Sequence, residues 1–149
     1  MRYRHTFRVR APLADVARFH TNAESLRAIT PPLIPIRLHS APRQMGEGDE
    51  TDFTMWMGPL PVRWVARVEA VSSTGFLDRQ LLGPFSTWMH RHNFVVVDNA
   101  TTEIIDEVEA RLKSHVVWGP IGATMWIGLP LLFGFRAWKT RRLLEGRST

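Results

Sequence analysis

The chain contains no cysteine. Disulfides, thiolate nucleophiles and thiolate metal ligands are therefore excluded, and a reducing compartment is allowed; the expected location is the cytoplasm. Lysine is nearly missing as well: among 19 basic residues only Lys113 and Lys139 are not arginine. Tyrosine occurs once, against six Trp and eight Phe, so the aromatic content suits a core or an apolar pocket. No G-x-S-x-G elbow is present, and the glycines are too scattered for a phosphate-cradling loop or a dinucleotide fingerprint. The opening MRYRHTFRVR lacks the apolar core of a secretory signal. With neither repeat nor linker, residues 1–149 read as one domain, long enough to bury roughly 70% of its unfolded surface.

The net charge of +5 gathers at the two ends, at Arg2, Arg4, Arg8 and Arg10 and at Arg136, Lys139, Arg141, Arg142 and Arg147. No nucleic-acid-binding motif accompanies it, and nucleic acid is not expected as a partner. Residues 116–135 carry no charge over 20 positions, a length that could cross a bilayer. Four glycines and two prolines interrupt them, and a strand-like run precedes them. A buried helix lining a cavity is the favoured reading, with weak contact at a membrane surface left open.

Residues 3–10 alternate Tyr3, His5, Phe7 and Val9 against polar neighbours, which predicts a strand. Leu13, Val16, Ala17 and His20 recur at helical spacing after Pro12, and a second short helix is expected over 23–29, stopped by Pro31 and Pro32. A strand at 33–38 precedes a meander of strands at 51–57, 62–71, 75–81, 87–97 and 101–112. A long helix over 120–144, kinked by Pro130, closes the chain.

Strand periodicity assigns the inner faces. Val62, Trp64, Ala66, Val68 and Ala70 share one face, as do Trp88, His90, His92, Phe94 and Val96, and Thr102, Ile104, Asp106, Val108, Ala110 and Leu112. The turn at 98–100 places His92 opposite Asp106, and that at 82–86 places Asp78 opposite His90 and Gln80 opposite Trp88. Asp78, His90, His92 and Asp106 then share a wall with Trp64, Phe76, Trp88 and Phe94, to which Phe53, Met55 and Trp126 are added. Buried ionisable groups are costly unless paired, and two His–carboxylate pairs would satisfy all four. The ladder can be a structural device that fixes register. It can instead be the polar end of an apolar pocket, with Gln80 among the ligand-contacting residues. A facial metal site from His-x-His plus Asp is the weakest reading; no metal and no cofactor is expected.

The stretch GFLDRQLLGPFSTWMHRHNF, followed by TTEIIDEVEARL, resembles the SRPBCC group of START-like, birch-pollen-allergen-like domains. A bacterial branch carries F-x-D-x-Q-x-x-G-P-F-x-x-W-x-H-x-H-x-F and then T-x-x-x-D-x-V. Phe76, Asp78, Gln80, Gly83, Pro84, Phe85, Trp88, His90, His92, Phe94, Thr102, Asp106 and Val108 meet that pattern. The 58–64 segment and the region of Phe135, Arg136 and Trp138 are similar to it as well. The resemblance implies an α+β helix-grip fold: a curved antiparallel sheet wrapped around a long C-terminal helix, with two short helices closing a cavity. Members bind lipids, sterols and polyketides, and some are aromatase/cyclases. The branch has been likened to cell-division inhibitors and is found fused to a nucleotide-sugar-epimerase-like domain. The apolar 116–135 segment departs from the pattern, which leaves room for a wider opening or a membrane-touching face.

Three functions compete: a binder or carrier of a hydrophobic small molecule, as monomer or homodimer; a cyclase/dehydratase-type enzyme with a His–Asp acid–base pair drawn from His90, His92, Asp78 and Asp106; and a membrane-surface or partner-interaction module using the basic ends.

Overall fold

The computed structural model describes residues 1–146, so Arg147 of the basic C-terminal end lies outside them. Within them are seven strands and four helices: β1 Arg2–Val9, α1 Leu13–His20, α2 Ala23–Ala28, β2 Ile36–Ser40, β3 Glu50–Met57, β4 Leu60–Ser72, β5 Gly75–Leu82, β6 Phe85–Asp98, β7 Thr101–Leu112, α3 Trp118–Ile127 and α4 Leu129–Glu145. The strands form one antiparallel sheet in the order β1-β7-β6-β5-β4-β3-β2. All neighbours but one are consecutive in the chain; β1 instead pairs with the last strand. The curved sheet grips the C-terminal helix, and the fold is the α+β helix-grip fold expected.

Alternation decides which side of the sheet is covered. Val62, Trp64, Ala66 and Val68 of β4, Phe94 of β6 and Thr102, Ile104, Asp106, Val108 and Ala110 of β7 are all buried. The parity of β4 ends at Ala70, which sits at a bulge with φ of 52°, its N–H bound to the Glu47 carboxylate at 3.1 Å. On the outer side, arginine and glutamate face each other across strands, as in Arg2–Glu109, Arg8–Glu103 and Arg67–Glu50. Such exposed pairs each contribute about 0–1 kcal/mol and chiefly keep the outer face solvated.

Two elements differ from the sequence expectation. The strand expected over 33–38 begins only at Ile36. Residues 31–34 instead close a turn through the Ile34 N–H to the Pro31 carbonyl, 2.9 Å, and leave Leu33 exposed. The long helix is two helices bent by 51°. The break falls at Gly128, and Pro130 sits in the first turn of α4, where the missing N–H costs no helical bond. No single helix among the described residues is long and apolar enough to cross a membrane, whereas α3 and α4 together would be by length and composition.

Inside, α4 lays Leu129, Phe133, Ala137, Thr140 and Leu144 onto the sheet, every third or fourth residue. α1 adds Val16 and Phe19 to a core with Phe7, Val9, Phe76, Phe94 and Ile104. A second cluster, Phe53, Trp64, Ala66, Phe85 and Ala110, lies beneath α3.

Candidate functional site

The even-numbered face of β5, β6 and β7 brings Asp78, His90, His92 and Asp106 together. The register is that read from the turns: His92 opposite Asp106, Asp78 opposite His90. The hydrogen bonds nevertheless cross this register. His90 Nε2–H donates to Asp106 Oδ1 at 2.9 Å, and His92 Nε2–H donates to Asp78 Oδ2 at 3.0 Å. Strand twist brings diagonal neighbours within reach of a long side chain, and each ring is tilted by an aromatic beside it. Phe76 stacks on His92 at 4.3 Å, and Phe133 of α4 meets the His90 ring edge-on at 5.3 Å. His92 Nδ1 also lies 3.2 Å from Asp106 Oδ1, an ion-pair contact too poorly aligned for a hydrogen bond. Asp106 thus serves both histidines.

Three further polar side chains converge on this ladder. His5 of β1 is paired in register with Asp106, and its ring lies 6.1 Å from Phe133. His20 of α1 donates Nδ1–H to the Val16 carbonyl at 2.8 Å and packs 5.9 Å from His92. Arg136 of α4 lies over Phe133 at 5.5 Å. Its Nε and the Nδ1 atoms of His5 and His92 are buried without a hydrogen-bond partner among the described residues. His5 and His20 stood on apolar-periodic faces in the sequence, so the alternation that found His90 and His92 could have found them. Arg136 carried no comparable signal, because its position over the sheet depends on the bend between α3 and α4.

The environments push the ionisation constants apart. Burial disfavours a charged His92, but the carboxylates of Asp106 and Asp78 outweigh it and raise its pKa to about 9. Burial likewise disfavours a charged Asp106, yet the imidazoles of His90 and His92 hold it well below the usual carboxylate range. For His90 burial wins, helped by the charge of His92, and the pKa falls. His20 is lowered to about 4 by burial and then by His92. Burial also lowers Arg136, against the pull of the Asp106 and Asp78 charges. At neutral pH the cluster therefore sets the Asp106 carboxylate and the cations His92 and Arg136 beside neutral His90 and His20.

Stability should consequently peak near pH 6.5. The His92 contribution is present in full below its unfolded pKa of about 6.5 and is lost as pH rises toward 9. The His20 contribution is present above about 6.5 and is lost as pH falls toward 4; His90 acts in the same direction. Each limb is on the order of 2–3 kcal/mol. Urea unfolding at a series of pH values should give this dome, and His92→Gln should remove the alkaline limb and, by taking away the charge that helps lower His20 and His90, weaken the acid limb. An alkaline limb unchanged in His92→Gln would contradict the assignment.

The aromatic residues of the wall pack against one another. Phe53, Trp64, Phe76 and Phe94 are buried, with Trp64 edge-on to Trp88 at 5.3 Å and stacked near Phe53 at 6.4 Å. Two hollows lie elsewhere in the fold. One of about 440 Å³ lies between α1, α2 and the end of α4, beside Phe19 and Leu143. One of about 550 Å³ opens on the outer side of β6 and β7. Neither is lined by Trp64, Trp88 or Trp126. The half-buried apolar residues are instead gathered over the second cluster: Leu26, Ile36, Leu38, Met55, Trp88, Met125 and Trp126 rest on Phe53, Trp64 and Phe85. Gln80 is not part of this wall. Its side-chain amide donates to the Phe85 carbonyl at 2.9 Å and accepts from the Phe85 N–H at 3.3 Å, closing the β5–β6 turn.

Asp78, His90 and His92 offer ligand atoms within 4.8 Å of one another, close enough for a metal ion. Their donor set fits one poorly. The facing nitrogens of both histidines are bound to carboxylates, and the cationic Arg136 lies nearby.

No family profile and no curated protein matches the sequence. Solved structures match it in fold. The Zhui aromatase/cyclase from Streptomyces sp. R1128 superposes with a TM-score of 0.70 at 15% identity, over 96% of this chain and 95% of that one. Norcoclaurine synthase from Thalictrum flavum, in complex with dopamine and hydroxybenzaldehyde, gives 0.73 at 16% identity, over 100% and 88%. A nucleoside-diphosphate sugar epimerase from Corynebacterium glutamicum gives 0.68 at 23% identity, over 96% of this chain but 29% of that protein. The chain thus shares the helix-grip fold of these structures.

Proposed function

We propose that this protein binds and carries a hydrophobic small molecule, a lipid, polyketide or other aromatic or apolar metabolite, between the inner face of the sheet and α3. The observation that supports the reading most directly is the group of half-buried apolar side chains over Phe53, Trp64 and Phe85, with the polar ladder on the same inner wall. Apolar surface left partly uncovered on the inner side of a curved sheet is where a ligand gains most by excluding water. The ladder would orient its oxygen or nitrogen atoms. That the aromatase/cyclase and norcoclaurine synthase share this fold favours a small aromatic molecule over a macromolecule. A cytoplasmic location, a single domain and a monomer or homodimer belong to the same reading.

Native mass spectrometry of protein purified from its own host should reveal a retained small molecule. Titration with a naphthol-type probe should quench tryptophan fluorescence, and Trp88→Ala should weaken that binding about tenfold, as expected for loss of one large apolar contact. Absence of both a retained molecule and probe binding would refute the proposal.

One observation favours a second reading, an enzyme of the cyclase or dehydratase kind. His90 and His92 have ring centroids 3.9 Å apart and ionisation constants pushed in opposite directions. A neutral imidazole beside a cationic one supplies base and acid together. His90→Gln should abolish turnover while leaving probe binding intact if this reading holds.

A further inference from the structure

Exposed positions in the last two helices recur at 117, 120, 124, 127, 131, 134, 138 and 142, a spacing of three and four that runs through the bend. On an ordinary surface helix that stripe is charged. Here it presents Val117, Ile127, Leu131 and Trp138, with Ile127 78% and Leu131 83% exposed, and Val116 beside it at 87%. α3 is apolar on all sides, yet among its residues only Gly122 is fully buried. A helix of that composition is normally enclosed by protein or lipid.

Charge narrows the choice of what covers it. From Ala110 to Leu144 the sequence has no acidic residue, whereas Arg111, Lys113, Arg136, Lys139, Arg141 and Arg142 all lie in that span. At the other end of the chain, Arg2, Arg4, Arg8 and Arg10 are each paired with a glutamate. Lys113, Lys139, Arg141 and Arg142 form no ion pair among the described residues. Two of them lie over tryptophans: Lys113 is 5.9 Å from the Trp118 ring and Arg142 is 5.2 Å from that of Trp138. Tryptophan with a cation above it suits the boundary between lipid tails and headgroups. A second copy of this face would bring cations against cations, which disfavours self-association.

We infer that the outer face of α3 and α4 is a peripheral docking surface for an anionic lipid bilayer. The helices lie on the membrane and do not cross it, because the opposite side of α4 stays packed on the sheet through Leu129, Phe133, Ala137 and Leu144. The inference does not depend on the ligand proposed above.

Vesicles of phosphatidylcholine alone, and with about 30% phosphatidylglycerol, test it by co-sedimentation. The full chain should bind the anionic vesicles at least about tenfold more strongly than the neutral ones. Ile127→Glu with Leu131→Glu should reduce that binding about tenfold, as should Lys113→Glu with Arg142→Glu. Ile127, Leu131 and Arg142 are exposed and Lys113 half-buried, and an unchanged circular dichroism spectrum and melting temperature would establish that both variants fold. The cysteine-free chain allows a second readout. A polarity-sensitive label on Leu131→Cys should shift to the blue with anionic vesicles, and one on Ser73→Cys, in the turn between β4 and β5, should not. No binding to anionic vesicles, binding untouched by Ile127→Glu with Leu131→Glu, or a dimer that those substitutions dissociate without any lipid binding would each overturn the inference.

Discussion

Replacing Asp106 by Asn is expected to cost about 3–5 kcal/mol of folding free energy, read as a fall in the urea midpoint at unchanged slope. Asp106 is 6% exposed, accepts the His90 bond at 2.9 Å and touches His92 at 3.2 Å. Its loss leaves the His92 cation with one carboxylate and His90 with none. Asp78→Asn should cost less, about 1–2 kcal/mol, because that carboxylate is 28% exposed and takes one bond. Concerted apolar replacement of Asp78, His90, His92 and Asp106 together with Arg136 should recover most of the loss, since no charge of the cluster then stays buried. A concerted variant less stable than Asp106→Asn would show that the ladder stabilises the fold outright. If the concerted variant folds and still binds the apolar probe, the ladder sets register alone; if it folds and has lost the probe, these residues contact the ligand.

Gly75→Ala is expected to destabilise by roughly 3 kcal/mol through combined strain and overpacking. Gly75 has φ of +153° and pairs with Asn93, and a Cβ built there overlaps the His92 carbonyl oxygen. To relieve the overlap β5 must move away from β6, which lifts Phe76 from the His92 ring it stacks on. The His92 imidazole resonances should therefore shift along with the loss of stability. Gly134→Ala is the matching control: a Cβ there meets nothing within 4 Å on an exposed helix, so it should stabilise by about 0.5–1 kcal/mol. Equal effects of the two substitutions would show that β6 does not constrain Gly75.

Much of this site is legible in the sequence, for a local reason. Strand alternation has a fixed period of two, and a tight turn fixes which residues face each other. Val62 and Trp64 of β4, the even-numbered residues of β7 from Thr102 to Ala110, and the pairing of His92 with Asp106 and of His90 with Asp78 follow from those rules alone, whereas Val96 and Leu112, assigned inward by the same parity, lie exposed toward the strand ends. Where a local rule was weak the reading slipped. Pro35 delayed β2, and Gln80, even-numbered on β5, turned back to hold the Phe85 backbone instead of facing the wall.

The sequence by itself determined the antiparallel meander, the inner face, the register and the presence of a His–Asp ladder, because each depends on neighbours within one or two strands. Tertiary structure alone decided which carboxylate each histidine bonds, since twist and the rings of Phe76 and Phe133 select the diagonal partner. It also decided that His5, His20 and Arg136 meet the ladder, because strands from opposite ends of the chain and two separate helices must pack before they come together. The same packing rested half-buried apolar side chains on Phe53, Trp64 and Phe85 and turned an apolar face of the last two helices outward, which no short-range pattern specifies.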